Sequence, residues 1–241
     1  MPPQPAPSTS SRRRRVAAPT AKGAPVRARS NAKQVAEPGT RERILLAALN
    51  EFADKGFAGG RLDTICAAAR ANIRMVYHYF HDKAGLYVAV LEHVLGELRQ
   101  EELKLDVDHM APLEALLQLF DFTFDHFAAN PQLISLLSGE NLLKAKFLKL
   151  SSRTPVISSP VLSLIHRLLR RGEADGTFRR GIDPLQLYVV LVGLSYFHLS
   201  NGHTLSVIFK RNVYAKRWLA DHKRIARDIV GRFAAAQPTG G

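Results

Sequence analysis

Apolar residues recur at a helical period from position 40 onward, and this period constrains the fold more than any other feature. Ile44, Ala48 and Phe52 lie four residues apart and therefore share one face of a helix. Thr40 can cap the beginning of this helix, and Gly56 can end it because glycine tolerates a positive φ. No strand pattern of useful length appears further along the chain, so the sequence predicts an all-α protein.

Two short helices and one long helix are predicted next. The second helix runs from about Arg61 to Ala69, and the third runs from the N-cap residue Asn72 to about Tyr79. Asp82 can cap the long fourth helix. A helix-turn-helix needs this arrangement, because the second of its two short helices must be presented to the major groove of DNA.

The rest of the chain also contains residues that are typical of helix starts and ends. The sequence therefore predicts about nine to ten helices in total. Proline at a helix start predicts a fifth helix over 112–129, a sixth from Pro131, a seventh from Pro160 to about Gly172, and an eighth from Pro184 to about Ser200. A short turn is predicted over 204–209, and a last helix over about 214–233. This pattern favours a C-terminal domain made of packed helices.

Charge is distributed unevenly along the chain, whose formal net charge is +13. The excess lies at the ends, with net +7 in residues 1–40 and net +6 in residues 201–241, whereas residues 92–200 carry net −2. A basic surface favours a polyanionic partner, either nucleic acid or an anionic membrane surface. The predicted organisation is a disordered basic arm, a helix-turn-helix domain, a C-terminal helical domain, and a disordered tail: 1–38, 39–85, 86–236 and 237–241.

The third predicted helix carries the residues that could read DNA. Val76 and Phe80 are four residues apart and can anchor it, which leaves six side chains to face outward or sideways: Ile73, Arg74, Met75, Tyr77, His78 and Tyr79. Arg74 could pair with a guanine edge or a phosphate. The two tyrosines could offer hydroxyls to phosphates and rings to thymine methyls. Lys83 adds a positive charge beside the free N–H groups of a helix start, which favours a phosphate.

Four segments with consistent spacing resemble the TetR family of bacterial regulators: TRERIL at 40–45, FADKGF at 52–57, DTI at 63–65 and YHYFHDKAGL at 77–86. The resemblance implies that the third helix, which begins after Asn72, is the recognition helix. Ile73, Arg74, Met75 and Tyr77 would then face bases, Tyr79 and Lys83 would meet phosphates, and Asp63 and Thr64 would lie near the groove edge, with His78 nearby. Departures from the usual pattern are Gly60, Arg70, Ala71 and Ile73.

The resemblance also implies that residues 86–236 form an effector-binding and dimerisation domain. It implies a homodimer on a near-palindromic operator, with repression relieved by an unknown small-molecule effector. Candidate residues for the effector pocket are Phe120, Phe124, Phe127, Asn141 and Tyr188, and Asn141 could equally face solvent. Candidate residues for the dimer interface are Leu187, Val190, Leu191, Leu194, Trp218, Ile225 and Ile229, which could equally belong to the core of one chain.

Several other classes of function find little support. No nucleophile–base pair or carboxylate dyad at a recognisable spacing appears, so neither an enzyme nor a cofactor is expected. No His, Cys or Asp cluster has the spacing of a metal site, and the lone Cys66 is expected to be a buried apolar residue. No membrane span or secretory signal is evident, so a cytoplasmic regulator is expected. Two alternatives stay open: a non-specific nucleic-acid binder driven by the basic termini, and a regulator controlled by a protein partner.

Overall fold

The computed structural model describes residues 39–236, which lack the predicted arm and tail, so both of those predictions lie outside the described residues. Within this range the chain forms ten α-helices and one 3₁₀ turn, and the only β interaction described there is a bridge between Phe178 and Ala235. The all-α prediction is confirmed. The helices are α1 (Thr40–Gly59), α2 (Leu62–Ala69), α3 (Ile73–Phe80), α4 (Lys83–Glu102), α5 (Pro112–Ala129), α6 (Pro131–Leu142), α7 (Thr154–Ala174), α8 (Pro184–Ser200), α9 (Gly202–Ile208) and α10 (Lys216–Ala234), and the 3₁₀ turn is Leu148–Leu150.

Local signals set most of the helix ends where the sequence predicted them. Thr40 is an exception, because it is the first residue of α1 and Gly39 holds the N-cap position without a side-chain cap. Asn72 accepts a hydrogen bond from the N–H of Met75, and Asp82 accepts one from the N–H of Gly85, so both act as N-caps. Gly56 has a φ of 66° and a ψ of 178°, a conformation open almost only to glycine, and it breaks the regular helix. One further turn, Phe57–Gly59, then continues α1 beyond the break.

Two predicted elements differ in the structure. Pro160, predicted to begin the seventh helix, lies inside α7, which begins six residues earlier with Pro155 in its first turn. Both Pro155 and Pro160 are compatible with a helix start, so the sequence alone does not choose between them. Inside the helix, Pro160 cannot donate a backbone hydrogen bond, and the packing of Val161, Leu164 and Ile165 in the core offsets this loss. The predicted turn over 204–209 is instead the short helix α9.

The apolar side chains form two cores, and α5 contributes to both, with Phe127 in the first and Phe120 in the second. The first core joins α1–α4 with α6, because Leu133, Ile134 and Leu136 pack among the N-terminal helices. The second core joins α5, α7, α8 and α10. Helix α4 packs against both α1 and α7. The predicted boundary between the helix-turn-helix domain and the C-terminal domain, at residues 85 and 86, therefore stays a prediction. None of the helices within residues 39–236 is long and apolar enough to cross a bilayer.

Candidate nucleic-acid interface

The turn between α2 and α3 sets the angle at which α3 is presented. Arg70, the C-cap of α2, has a φ of 50° and a ψ of 47°, which is the left-handed conformation. A residue with a side chain adopts it at a cost of roughly 1–2 kcal/mol, so the surrounding contacts must hold it there. The N–H of Ala71 donates to the Cys66 carbonyl, and Nε of Arg43 donates to the Ala69 carbonyl, 3.1 Å away. These bonds satisfy carbonyls that the end of α2 would otherwise leave unpaired.

Helix α3 has one buried face and one exposed face. Val76 and Phe80 are buried in the first core, as their spacing predicted. Ile73 and Tyr77 are 39% and 49% exposed, although both are large apolar or aromatic side chains. An eight-residue helix is too short to be stable alone, so the buried pair holds the exposed face in position.

The other predicted DNA-contacting residues of α3 divide between these two faces. Arg74 and His78 are exposed beside Ile73 and Tyr77, so these four side chains form one surface, which we call the α3 face. Met75 and Tyr79 are half-buried and pack against the first core. The structure therefore brings four of the six predicted side chains together at the surface.

Lys83 and the start of α2 flank the α3 face. The Lys83 ammonium lies 4.8 Å from the centre of the Phe57 ring and 3.5 Å from the Ala58 carbonyl, so it is held against the end of α1. Asp63 and Thr64 are exposed in the first turn of α2, and Asp63 lies 3.9 Å from Arg61. Gly85 allows α4 to begin close to α3, because a Cβ there would lie 2.1 Å from the Phe80 carbonyl oxygen.

One residue that supports the interface was not predicted from the sequence. Glu51 is buried and accepts hydrogen bonds from the Lys55 ammonium and from the N–H of Arg61, the N-cap residue of α2. The hydrogen bond from Lys55 and then the one from Arg61 lower the pKa of the Glu51 carboxyl below its ordinary value. The four-residue spacing of Glu51 and Lys55 could have indicated the ion pair, but not the link to α2.

The predicted pocket residues are not brought together. Phe120 and Phe124 are fully packed in the second core, Asn141 is exposed at the end of α6, and the hydroxyl of Tyr188 accepts a hydrogen bond from Arg99. Phe127 alone among the five lines the cavity of about 460 Å³ between α5, α6, α8 and α9. This cavity, which we call the α6 cavity, is also lined by Ile134, Ser135, Ser138, Leu199, His203 and Tyr214.

Glu140, the neighbour of Asn141, has a structural role. Its buried carboxylate accepts hydrogen bonds from the N–H groups of Phe147 and Leu148, which fixes the connection between α6 and α7. Cys66 is buried, as predicted, and its burial raises the pKa of the thiol.

The predicted dimer residues also divide between the interior and the surface. Leu187 and Leu191 are fully buried by their own chain and have no surface to offer a partner. Val190, Leu194 and Trp218 are half-buried. Ile225 and Ile229 are exposed on α10. The sequence did not predict the exposed apolar residues of α8, which are Leu185, Val189 and Phe197.

Two short helices joined by a tight turn, with a basic and aromatic face on the second, define a helix-turn-helix DNA-binding protein. Comparison with known proteins gives the same class. The model of the "Bacterial regulatory proteins, tetR family" matches residues 44–90, and that of the "Tetracyclin repressor-like, C-terminal domain" matches residues 112–230. The chain belongs to the TetR family of bacterial transcriptional regulators.

Individual relatives agree with this assignment. The chain is 34% identical over 193 residues to the HTH-type transcriptional repressor NicS of Pseudomonas putida, a match that covers 80% of this chain and 91% of NicS. It is 37% identical over 103 residues to an HTH-type transcriptional repressor of Streptomyces coelicolor, covering 43% of this chain and 50% of that protein.

Solved structures share the fold at lower identity. Reduced NemR from Escherichia coli superposes with a TM-score of 0.60 at 20% identity, covering 83% of this chain and all of NemR. A TetR transcriptional regulator from Chloroflexus aurantiacus superposes with a TM-score of 0.59 at 18% identity, covering 82% of this chain and 97% of that one.

Proposed function

We propose that this regulator is a homodimeric repressor, which binds a near-palindromic operator and leaves it when a small molecule binds among the C-terminal helices. The single observation that carries the proposal is the α3 face, where Ile73, Arg74, Tyr77 and His78 are exposed above a buried anchor. A helix of this kind fits the major groove, and two copies related by a two-fold axis match two half-sites one helical turn apart. The protein would act in the cytoplasm, where the DNA is.

Each side chain of the interface has a proposed role. Arg74 would pair with a guanine edge, and Ile73, Met75 and Tyr77 would contact bases, including thymine methyls. Tyr79 and Lys83 would bind phosphates, because the first turn of α4 adds N–H groups beside the lysine. Asp63, Thr64, Asn72 and His78 would lie at the groove edge.

An exposed apolar surface on α8 and α10 supports the homodimer. Leu185, Val189 and Phe197 follow one another at intervals of four and eight residues along α8, and α10 adds Ile225 and Ile229. Helices α8 and α10 also pack against each other, so their exposed residues can belong to one continuous surface. Two such helix pairs would form a four-helix interface around a two-fold axis.

The α6 cavity is the proposed effector site. Its volume lies within the usual range for small-molecule pockets, and its wall combines apolar side chains with the hydroxyls of Ser135, Ser138 and Tyr214. Helix α6 forms part of this wall and packs directly on α1, where Gln132 hydrogen-bonds Asn50. An effector that binds two arrangements of α6 unequally would therefore shift the helix-turn-helix through α1 and α4.

Selection from random double-stranded DNA at roughly physiological salt tests the DNA-binding proposal. The full chain should retain one enriched inverted repeat, and Tyr77→Ala and Arg74→Ala variants should lose that enrichment. Retention of DNA without an enriched motif, abolished by neutralising the Arg12–Arg15 run and not by the α3 variants, would support non-specific binding by the basic terminus instead.

Release from the operator is a separate measurement. A small-molecule library screened for displacement of the selected operator should return compounds that lose their effect when Ser138 is replaced by leucine, which fills the α6 cavity. Release only by a protein fraction would support a regulator controlled by a protein partner.

A further inference from the structure

The charge of its wall limits which ligands the α6 cavity can hold. Among the described residues that line the cavity, none is Asp, Glu, Lys or Arg. The only lining residue that can become positive is His203, which is exposed, so water and salt would screen its charge. A charged ligand that leaves water needs an opposite charge or several hydrogen bonds in return. The wall therefore favours an uncharged ligand.

Three rings line the α6 cavity and favour an aromatic ligand. They belong to Phe127, His203 and Tyr214. The ring centres of His203 and Tyr214 lie 5.3 Å apart with planes inclined by 52°, so the two side chains form one aromatic corner. The cavity volume of about 460 Å³ is roughly three times that of a cavity of about 150 Å³ that holds one benzene molecule. A ligand with two fused rings therefore fits.

Two hydroxyl groups of the wall have already used their protons. The Tyr214 hydroxyl donates to the Leu199 carbonyl, and the Ser200 hydroxyl donates to the Phe197 carbonyl, each over 3.2 Å. Ser200 also accepts a hydrogen bond from the side-chain amide of Asn201. Because a hydroxyl has one proton and two lone pairs, both oxygens can still accept a hydrogen bond from a ligand but have no proton left to donate.

Ser138 is a third acceptor of this kind. Its hydroxyl oxygen lies 2.8 Å from that of Tyr196, and Tyr196 donates to the Ile134 carbonyl, 3.5 Å away. Ser138 is then the donor to Tyr196 and keeps a lone pair for a ligand. The remaining O–H and N–H donors of the wall belong to Ser135 and His203, which can also accept. The wall thus offers more acceptors than donors.

We infer that the α6 cavity binds an uncharged aromatic amine, with its rings against Phe127 and Tyr214 and its N–H groups on the hydroxyl oxygens of Tyr214, Ser200 and Ser138. An aromatic carboxylate of the same shape is disfavoured, because it would face lone pairs with no lysine or arginine in the wall. Calling this ligand the effector rests on the proposed function, whereas the binding preference does not.

Three small molecules of similar shape test the preference, in ligand-observed NMR titrations of the full-length protein at about pH 8. The probes are 5-aminoindole, 5-methylbenzofuran, which has no N–H donor, and indole-5-carboxylate, which adds a negative charge. 5-Aminoindole should bind at least 10-fold more tightly than either of the others. Equal affinity for 5-methylbenzofuran, equal affinity for the carboxylate, or no binding of 5-aminoindole would overturn the assignment.

Tyr214→Phe separates the acceptor from the ring. The variant keeps the aromatic wall and removes one hydroxyl oxygen, so it should weaken 5-aminoindole binding at least 3-fold and leave 5-methylbenzofuran binding unchanged. Ser200→Ala should act in the same direction. Ser152→Ala, which removes an exposed hydroxyl outside the cavity, should change neither affinity. Equal losses for both probes in Tyr214→Phe would mean that the cavity has changed shape and would contradict the acceptor role.

Ser135→Arg tests the role of charge. Ser135 is an exposed lining residue of α6, so an arginine there adds a cation to the wall without disturbing a core. Indole-5-carboxylate should then bind at least 10-fold more tightly than to the unmodified protein. Ser152→Arg adds the same charge outside the cavity and should leave this affinity within about 2-fold. An unchanged carboxylate affinity in Ser135→Arg would overturn the role of charge in the selectivity.

Operator binding distinguishes this inference from the proposed function. Failure to select any operator would contradict the proposed repressor, and the NMR titrations would still decide the ligand class. A selected operator whose Kd does not respond to saturating 5-aminoindole would contradict the effector role of the α6 cavity, and the binding preference would stand.

Discussion

The ring of Phe147 lies 4.1 Å from the ring of Phe57, which joins the connection between α6 and α7 to the last turn of α1. Phe147 also contacts Tyr87 of α4, with ring centres 5.0 Å apart and steeply inclined planes. Two backbone hydrogen bonds to Glu140 hold this connection in place. The helix-turn-helix unit and the C-terminal helices thus share one aromatic contact region, which connects the end of α6 to α1 and α4.

Phe147→Ala should lower the free energy of unfolding by about 3–5 kcal/mol, because the ring is almost fully buried in the first core. Denaturant unfolding at a fixed protein concentration measures the loss. Phe209→Ala is the matched control, since Phe209 is 66% exposed and its removal should change stability by less than about 0.5 kcal/mol. Equal losses in the two variants would contradict the proposed packing role of Phe147.

Arg74→Ala should weaken binding to the selected operator at least about 5-fold, since one good contact to a base is worth about 1–3 kcal/mol. Tyr77→Ala should have an effect of similar size. Both side chains are exposed, so the melting temperature should stay nearly constant. Fluorescence anisotropy at one fixed salt concentration measures the affinity.

Arg170→Ala provides the control for the loss of charge, because it removes the same charge from the exposed face of α7. Its operator affinity should stay within about 2-fold of the unmodified protein. A loss as large as that of Arg74→Ala would mean that net charge, and not the α3 face, determines the affinity.

Ile225→Asp should convert the proposed dimer to monomers, because it introduces a charge into the exposed apolar surface of α8 and α10. Sedimentation velocity measures the change, and operator affinity should fall with it. Leu142→Asp makes the same chemical change at the end of α6, where the side chain is 85% exposed, and should stay dimeric. A dimeric Ile225→Asp protein would place the interface elsewhere.

His198 should make the protein less stable in mild acid. Burial and, to a smaller extent, the charge of His222, whose ring centre lies 4.4 Å away, together lower the pKa of His198 to about 4. Between pH 6.5 and 4 the unfolded chain takes up a proton at this site and the folded chain does not, so stability falls as the pH falls through this window. The loss is at most about 3 kcal/mol.

His198→Phe keeps an aromatic ring stacked on Phe124 and removes the titrating group. The free energy of unfolding, measured at several pH values and one protein concentration, should depend less on pH in the variant between pH 6.5 and 4. The two proteins should be of similar stability at pH 7.5, where the histidine is neutral in both states. An unchanged pH dependence would show that His198 is not the group responsible.

Interactions between residues that are close in the sequence allowed much of the fold to be predicted. Asn72 and Asp82 cap their helices through their own side chains, and Gly56 supplies a backbone conformation that other residues avoid. The spacing of Val76 and Phe80 was enough to predict the buried side of α3, and hence most of its exposed side. These features depend on residues within a few positions of each other, and one sequence displays them all.

Tertiary packing decided the features of the fold that no local sequence pattern predicts. Arg70 occupies a left-handed position that its residue type does not indicate, and Pro160 lies within a helix that packing maintains. Leu187 resembles Ile225 in the sequence, yet one is fully buried by its own chain and the other is exposed. The α6 cavity forms where helices that are distant in the sequence leave space between them, so no local pattern predicts it. The sequence by itself determined the helices and the face of α3, because those depend on neighbouring residues, whereas burial and cavities depend on which helices meet.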